Sequence, residues 1–229
     1  MPDDLTSYLT AGGPERSSTP EWIADALRSA ITDGRCPPGS RLREEHIAAA
    51  MKVSRNSVRE AFRLLVHERL LAYELNRGVF VRTLTADDVT DLYRLRRLLE
   101  GGAIRTATPA TLAAALPAAA AALDEAGAAA DADDWPGVGS ANMHFHQAVA
   151  ALAGSRRVDD TMRQVLAELR LVFHVMSPHR RFHEPYLEGN RTLYAQLAAG
   201  DLGAAQRHLD DYLQAAERQL VDAFSAVAR

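Results

Sequence analysis

What this chain can fold into is narrowed most by the run Val53-Ser54-Arg55-Asn56-Ser57-Val58-Arg59-Glu60-Ala61-Phe62-Arg63-Leu64-Leu65. Wound at 100° per residue with Arg55 as zero, it puts Arg59 at about 40°, Arg63 at about 80° and Asn56 at about 100°, while Ala61, Leu65, Val58 and Phe62 fall between about 240° and 340°. One side must pack, and the other offers guanidinium groups to a partner. Ser54 is a candidate N-cap for a helix running to Leu70, although Ser57-Val58-Arg59-Glu60 spells a capping box one turn later. Upstream, Leu42 to Met51 reads as a short helix joined by the turn Met51-Lys52-Val53. Downstream, Leu71–Leu75 and Val79–Val81 read as strands around Asn76-Arg77-Gly78, which is hairpin chemistry. The pattern is a helix-turn-helix followed by a β-wing.

The flanking sequence sets the boundaries of that unit. Residues 1–18, with Gly12-Gly13-Pro14 and Ser17-Ser18, read as a flexible leader. Thr19 can cap a helix with Pro20 in its first position, and Trp22, Ile23, Ala26, Leu27, Ala30 and Ile31 follow at helical spacing as far as Asp33-Gly34. Cys36-Pro37-Pro38-Gly39 makes a turn. The winged unit is thus expected over residues 19–83. From Thr85 onward the pattern is helical. One helix runs to about Ala107, an alanine-rich helix from Pro109 to about Ala130, and a break covers Asp131 to Gly139. Further helices are expected near 140–153, 156–176, 185–199 and 202–226, with Gly154, Ser177-Pro178 and Gly200-Asp201 as punctuation. Residues 84–229 should form an all-helical bundle, which makes the fold class mainly α.

Composition agrees with this division. Apolar residues make up 47% of the 229 but aromatics only 6%, which suits closely packed helices better than a β-sandwich. The net charge of −4 conceals an asymmetry: residues 17–82 hold 11 Lys/Arg against 8 Asp/Glu, a net of +3, whereas residues 83–229 hold 14 against 19, a net of −5. A basic excess confined to the helix-turn-helix is the footprint expected of a nucleic-acid reader. The single Cys36 excludes an intramolecular disulfide and a cysteine metal cluster, which fits a reducing cytoplasm. With Asp3 and Asp4 near the start and no long apolar run there, neither a signal peptide nor a membrane span is expected.

Four stretches together carry a family resemblance. They are Pro37-Pro38-Gly39-Ser40-Arg41-Leu42-Arg43-Glu44-Glu45, Val53 to Ala61, Asn76-Arg77-Gly78-Val79-Phe80-Val81, and Asp91-Leu92-Tyr93-Arg94-Leu95-Arg96-Arg97-Leu98-Leu99-Glu100. The chain resembles the GntR-type winged-helix transcriptional regulators, in the FadR branch with a C-terminal helical effector domain of the FCD type. The resemblance implies a homodimer that sets two recognition helices into successive major grooves of a palindromic duplex operator, and a small-molecule effector in the helical domain that changes the fit, with repression the usual output. On that basis Arg55 and Arg59 should reach base edges or phosphates, Ser54 and Asn56 phosphates or bases, and Arg43 a phosphate, while Arg63 continues the same face. Arg77 and Gly78 should lie near the minor groove.

In the helix from Ala86, the positions Val89, Leu92, Leu99 and Ala103 form one stripe with Arg96 inside it and Glu100 one turn on. A charge on a buried stripe is expensive unless paired, so Arg96 is either in an internal ion pair or aimed into a cavity to meet an anionic ligand. Many FCD-type proteins hold a divalent metal through one Asp and three His on inward helix faces, and the resemblance maps those positions onto Asn142, His146, Asn190 and Tyr212. Amides and a phenol are poor ligands for a transition metal, so no metal and no other cofactor is expected. The alternative is a site rebuilt from His144, His174, His179, His183 or His208. Arg96, Asn142, His146, Asn190 and Tyr212 are then the candidate effector-binding residues. No nucleophile-base-orienter set and no phosphate loop points to an enzyme, with His146 the only candidate base. The competing reading is a constitutive DNA-binding protein whose helical domain only dimerises.

Overall fold

A computed structural model describes residues 18–173 and 179–227, the side chains of 179, 181, 182 and 225–227 excepted. The expected leader up to residue 17, His174, the Ser177-Pro178 boundary and the side chain of His179 lie outside the described residues. Backbone packing divides the chain into two compact units. One runs to Leu84 and takes in Arg170 to Phe173; the other begins at Thr85.

In the first unit, α1 spans Thr19–Thr32. Its cap is Ser18 rather than Thr19, because the Ser18 N–H donates to Glu21 Oε2 at 2.9 Å and Pro20 fills an early position whose missing N–H costs nothing. Strand β1, Arg41–Leu42, replaces the first residues of the helix expected from Leu42. Its main chain pairs antiparallel with β3, Gly78–Val81, in the register Arg41↔Phe80 and Leu42↔Val79. The other edge of β3 pairs with β2, Leu71–Glu74, giving the order β1-β3-β2. A two-residue strand made by a distant partner leaves no periodic signal in the sequence. Helix α2, Glu44–Met51, therefore starts only after the extended Arg43.

Helix α2 ends at Lys52, whose left-handed backbone (φ 55°, ψ 42°) turns the chain sharply into α3, Arg55–His67. Ser54 is the cap of α3, since its Oγ accepts from the Ser57 N–H at 3.0 Å. The helix stops short of the expected Leu70 because Arg69 turns left-handed (φ 58°) and sends Leu70 into the wing. The apolar face of Val58, Ala61, Phe62 and Leu65 is fully buried, and α1 packs on α3 with Ile23, Leu27 and Ile31. Each such aliphatic or aromatic side chain contributes about 1.5–3 kcal/mol on burial, against about 0–1 kcal/mol for an exposed ion pair, so this face holds the unit together. At the wing tip Asn76 (φ 60°) and Gly78 (φ 110°) make the reversal, and Gly78 is needed there on conformational grounds.

The second unit is helical throughout its described residues. Helix α4, Ala86–Thr106, starts at the expected cap, with the Thr85 N–H on Asp88 Oδ2 at 2.9 Å and the Asp88 N–H on Thr85 Oγ1 at 3.2 Å. Helix α5, Pro109–Asp131, is long and apolar enough by composition to cross a membrane, but its apolarity is alanine. Ala115, Ala119, Ala122 and Ala126 bury one edge of it, and α5 lies along α6, Trp135–Ala151. Helix α6 starts before the expected residue 140 because Asp134 Oδ1 caps the Gly137 N–H at 3.0 Å and Pro136 opens the first turn. Three more helices follow: α7, Arg156–Phe173, of which the residues from Arg170 belong to the first unit; α8, His179–Ala198; and α9, Leu202–Val227. Helix α8 begins before the expected 185, so Pro185 is interior and that turn lacks one N–H.

Candidate DNA interface and buried polar site

On α3 the side chains of Arg55, Asn56, Arg59 and Arg63 are exposed, and so is the cap Ser54. Glu44, from the first turn of α2, reaches across to them. Its Oε2 accepts from Arg59 Nε at 2.8 Å and lies 3.8 Å from Arg55 Nη2, so one carboxylate aligns two guanidiniums. Arg63 pairs instead with Glu60 at 2.6 Å on its own helix. Arg77 pairs with Glu74 and lies over the Phe80 ring, 5.2 Å from its centroid. Between the sheet and the start of α3 is an open cleft of about 530 Å³ whose walls include Arg41, Arg43, Arg55, Arg59, Tyr73 and Gly78. The fold thus gathers Arg43, Arg55, Arg59 and Gly78 around one concavity and leaves Arg63 outside its lining. Sequence reasoning missed Glu44, which reads as an ordinary first-turn acid, and did not place Arg41 and Tyr73 in the lining of the cleft.

In the helical unit the five candidate residues meet in one buried chain that runs across α4, α6, α8 and α9. Arg96 is 1% exposed and its Nε donates to Glu100 Oε1 at 2.8 Å. Glu100 Oε2 lies 2.6 Å from His146 Nδ1, and His146 Nε2 lies 3.1 Å from Tyr212 Oη. Tyr212 Oη is also 3.0 Å from Asn142 Oδ1, which accepts from Asn190 Nδ2 at 2.7 Å. The ionised Glu100 accepts the Nδ1 proton, which leaves Nε2 an acceptor, so one phenolic proton faces two acceptors. The Tyr93 ring lies 5.0 Å from the Arg96 guanidinium carbon, and Tyr186 meets Tyr212 edge-on at 5.0 Å. Gly189 makes room for Tyr212, since a Cβ there would stand 3.0 Å from the ring. Of the two sequence options for Arg96, the internal ion pair is what forms. Yet among the described residues Arg96 Nη2 and Asn190 Oδ1 are buried with no hydrogen-bond partner.

Electrostatics follow from burial and pairing. Burial opposes the charge on Arg96 and on Glu100, but each is offset by the other, so Arg96 is held above and Glu100 below its ordinary range. His146 is held below its usual 6.5: burial disfavours the imidazolium and Arg96 repels it, which together outweigh the attraction of Glu100. Burial likewise raises the Tyr212 phenol well above 10.0. A depressed histidine is neutral when folded, so its stability contribution is complete above the unfolded value of 6.5 and is lost as pH falls below it toward the folded value. Glu100 acts in the same sense below 4.5. Urea unfolding of the helical unit should therefore lose stability on acidification below 6.5, by up to about 1.4 kcal/mol per pH unit for one proton, and His146→Gln should flatten that first segment. A pH-independent difference between the two proteins would contradict the neutral assignment.

The donor set does not fit a transition metal. Asn142, Asn190 and Tyr212 offer amide and phenol oxygens, the phenol is held protonated, and His146 has both ring nitrogens engaged. His144 is exposed and 2.7 Å from Glu125, and His208 Nε2 bonds the Gly189 carbonyl at 2.9 Å. Among the described residues no three His, Cys, Asp or Glu side chains converge on a point where an ion could sit.

Comparison with known proteins bears on both units. Residues 91–215 match the FCD domain, and residues 19–81 match the bacterial regulatory proteins of the gntR family. The crystal structure of a GntR protein from Rhodococcus sp. RHA1 is 49% identical, covers 90% of this chain and 99% of its own, and superposes with a TM-score of 0.85. The Nta operon transcriptional regulator of Aminobacter aminovorans is 46% identical over 70 residues, 31% of this chain and 33% of that protein. The gluconate operon transcriptional repressor of Bacillus subtilis is 38% identical over 85 residues, 37% of this chain and 35% of that one. The chain thus spans about a third of the length of these two operon regulators. A cleft edged by the arginines of α3, an adjoining wing and a likeness that extends through the helical unit converge on one conclusion: the chain belongs to the GntR family of bacterial regulatory proteins, as a DNA-binding transcriptional regulator that carries an FCD effector-binding domain.

Proposed function

We propose that the chain acts as a homodimeric repressor that reads a palindromic operator, one α3 per half-site, and that a small molecule taken up by the helical unit changes the affinity. The observation that carries the DNA half is the alignment of Arg55 and Arg59 by Glu44 at the edge of an open cleft beside the wing. Two guanidiniums held there at rest are placed to exchange Glu44 for paired contacts with guanine O6 and N7. The effector half rests on the unpartnered Arg96 Nη2 and Asn190 Oδ1. A ligand with an acceptor for the first and a donor for the second would satisfy both, and a small anion is the simplest match to a buried guanidinium. Effector and operator are then coupled only through the ligand's differential affinity for the two dimer geometries.

A second reading has a specific observation in its favour. Arg96 and Glu100 already compensate each other, so the buried charge of the helical unit needs no ligand to balance it and the unit could serve dimerisation alone. Genomic selection of bound DNA supplies the operator, and thermal shift against metabolite pools separates the readings. A ligand that raises the melting temperature and shifts operator affinity, with both effects lost in Asn190→Leu, is the expected result. Operator binding intact with no metabolite stabilising the protein would favour the constitutive reading. Turnover of a metabolite that disappears in His146→Ala would replace both with an enzyme.

A further inference from the structure

We infer that Lys52 is a modification site, at which acyl transfer from an acyl phosphate neutralises the turn of the helix-turn-helix and lowers affinity for DNA. The effect on affinity rests on the DNA-binding reading above, whereas the site rests on the residue and its surroundings. Of the 26 lysine and arginine side chains in the sequence, Lys52 is the only lysine. A guanidinium keeps its protons in water near neutrality, whereas an ε-ammonium can give one up and expose a nucleophilic lone pair. The chain therefore presents acyl chemistry with one lysine amine, and that amine lies between α2 and α3. Lys52 ends α2 with a left-handed backbone (φ 55°, ψ 42°), a conformation in which any side chain carries a cost that glycine would escape. The side chain is exposed, and among the described residues its ammonium has no hydrogen bond and no ion pair. In the same unit Arg28, Arg55, Arg59, Arg63 and Arg77 each meet a carboxylate.

Position gives the modification its consequence. Ser54, the cap of α3, is two residues on, and two residues of extended chain span at most about 7 Å. The amine thus stands beside the start of the helix whose first residues are offered to DNA. The basic excess of residues 17–82 draws an anionic donor towards it. The reaction balances as follows. Nζ gives one proton to solvent and attacks the acyl carbonyl carbon; an N–C bond forms, the C–O bond to phosphate breaks, and phosphate leaves with the bonding pair. A second proton then passes from nitrogen to solvent, and the product is a neutral amide. Residues 17–82 go from a net charge of +3 to +2, with no loss of packing, since the side chain was in solvent. This input is separate from any ligand of the helical unit.

The test treats the full-length protein with acetyl phosphate, locates the adducts by mass spectrometry of peptides cut at arginine, and measures binding to duplex DNA before and after. Lys52 should carry an acetyl group, and affinity should fall by about fivefold per protomer at about 0.15 M salt, the counterion-release contribution of one cation. Lys52→Arg should bind as untreated wild type does and be unaffected by the reagent, which removes any contribution from the α-amino group or from hydroxyls. Lys52→Gln, with wild-type circular dichroism, should bind like the acetylated protein without treatment. Duplex added beforehand should slow the reaction at Lys52. An unmodified Lys52 after the α-amino group has reacted would overturn the proposal, and so would acetylated protein that binds duplex like untreated protein. An equal loss of affinity in treated Lys52→Arg would place the effect elsewhere and overturn it too. Untreated wild type that binds no duplex would instead refute the DNA-binding reading.

Discussion

Replacing Glu100 by alanine should cost the helical unit about 3–5 kcal/mol, the largest effect expected of any single substitution in the chain. The magnitude comes from what is left behind. Arg96 is 1% exposed and keeps its charge, so removal of the carboxylate strands a cation in the interior and also takes the acceptor from His146 Nδ1. A surface ion pair of the same length would be worth about 0–1 kcal/mol, and the difference is wholly one of solvent access. The double variant Arg96→Met, Glu100→Gln carries no buried charge and still offers His146 an oxygen. It should be more stable than Glu100→Ala alone, although it has lost more groups. Urea denaturation followed by circular dichroism reads both, and equal midpoints for Glu100→Ala and wild type would show that Arg96 finds other compensation.

The second large effect is on sequence discrimination. Arg59→Ala should bring operator affinity down towards the affinity for unrelated DNA. A bidentate guanine contact contributes about 1–3 kcal/mol of discrimination, and the proposed homodimer would make it twice, so on that proposal the ratio should fall by about 30-fold or more. Arg55→Ala should act in the same way. Arg63→Ala is the useful contrast: its partner is Glu60, it lies outside the lining of the cleft, and its removal should weaken all sequences alike. Competition binding with operator and scrambled duplexes at one salt concentration separates the two behaviours. If Arg59→Ala keeps the wild-type ratio while Arg63→Ala loses it, the reading face of α3 has been assigned to the wrong edge.

These two effects also mark what the sequence could and could not show. Helical faces were legible because the periodicity is local: Val58, Ala61, Phe62 and Leu65 on one side of α3, and the stripe on α4 that contains Arg96. Caps were legible where the residue type is decisive, as at Thr85, and ambiguous where two serines stand three apart, as at Ser54 and Ser57. Elements created by distant partners were not. Strand β1 exists only because β3 offers it an edge, and α6 reaches back to Trp135 through a cap at Asp134. The same holds for the candidate sites. The family resemblance picked out Asn142, His146, Asn190 and Tyr212, and their spacing agreed with inward faces, but Glu100 bonds His146 across 46 residues of sequence, and no periodicity reports that. Glu44 likewise finds Arg59 across 15 residues.

The Glu44 fork has a bearing on errors in DNA reading. An arginine that leaves Glu44 for a base gives up an exposed ion pair worth up to about 1 kcal/mol, and a guanine returns about 1–3 kcal/mol, so on the right sequence the exchange runs forward. A base edge that offers only one acceptor, or a donor, returns less than the carboxylate does, and the guanidinium stays where it was. In the proposed complex the resting ion pair would set a threshold that near matches fall below. On that proposal an acidic residue in a basic cleft would contribute to fidelity, because it rewards the side chain for not binding the wrong base.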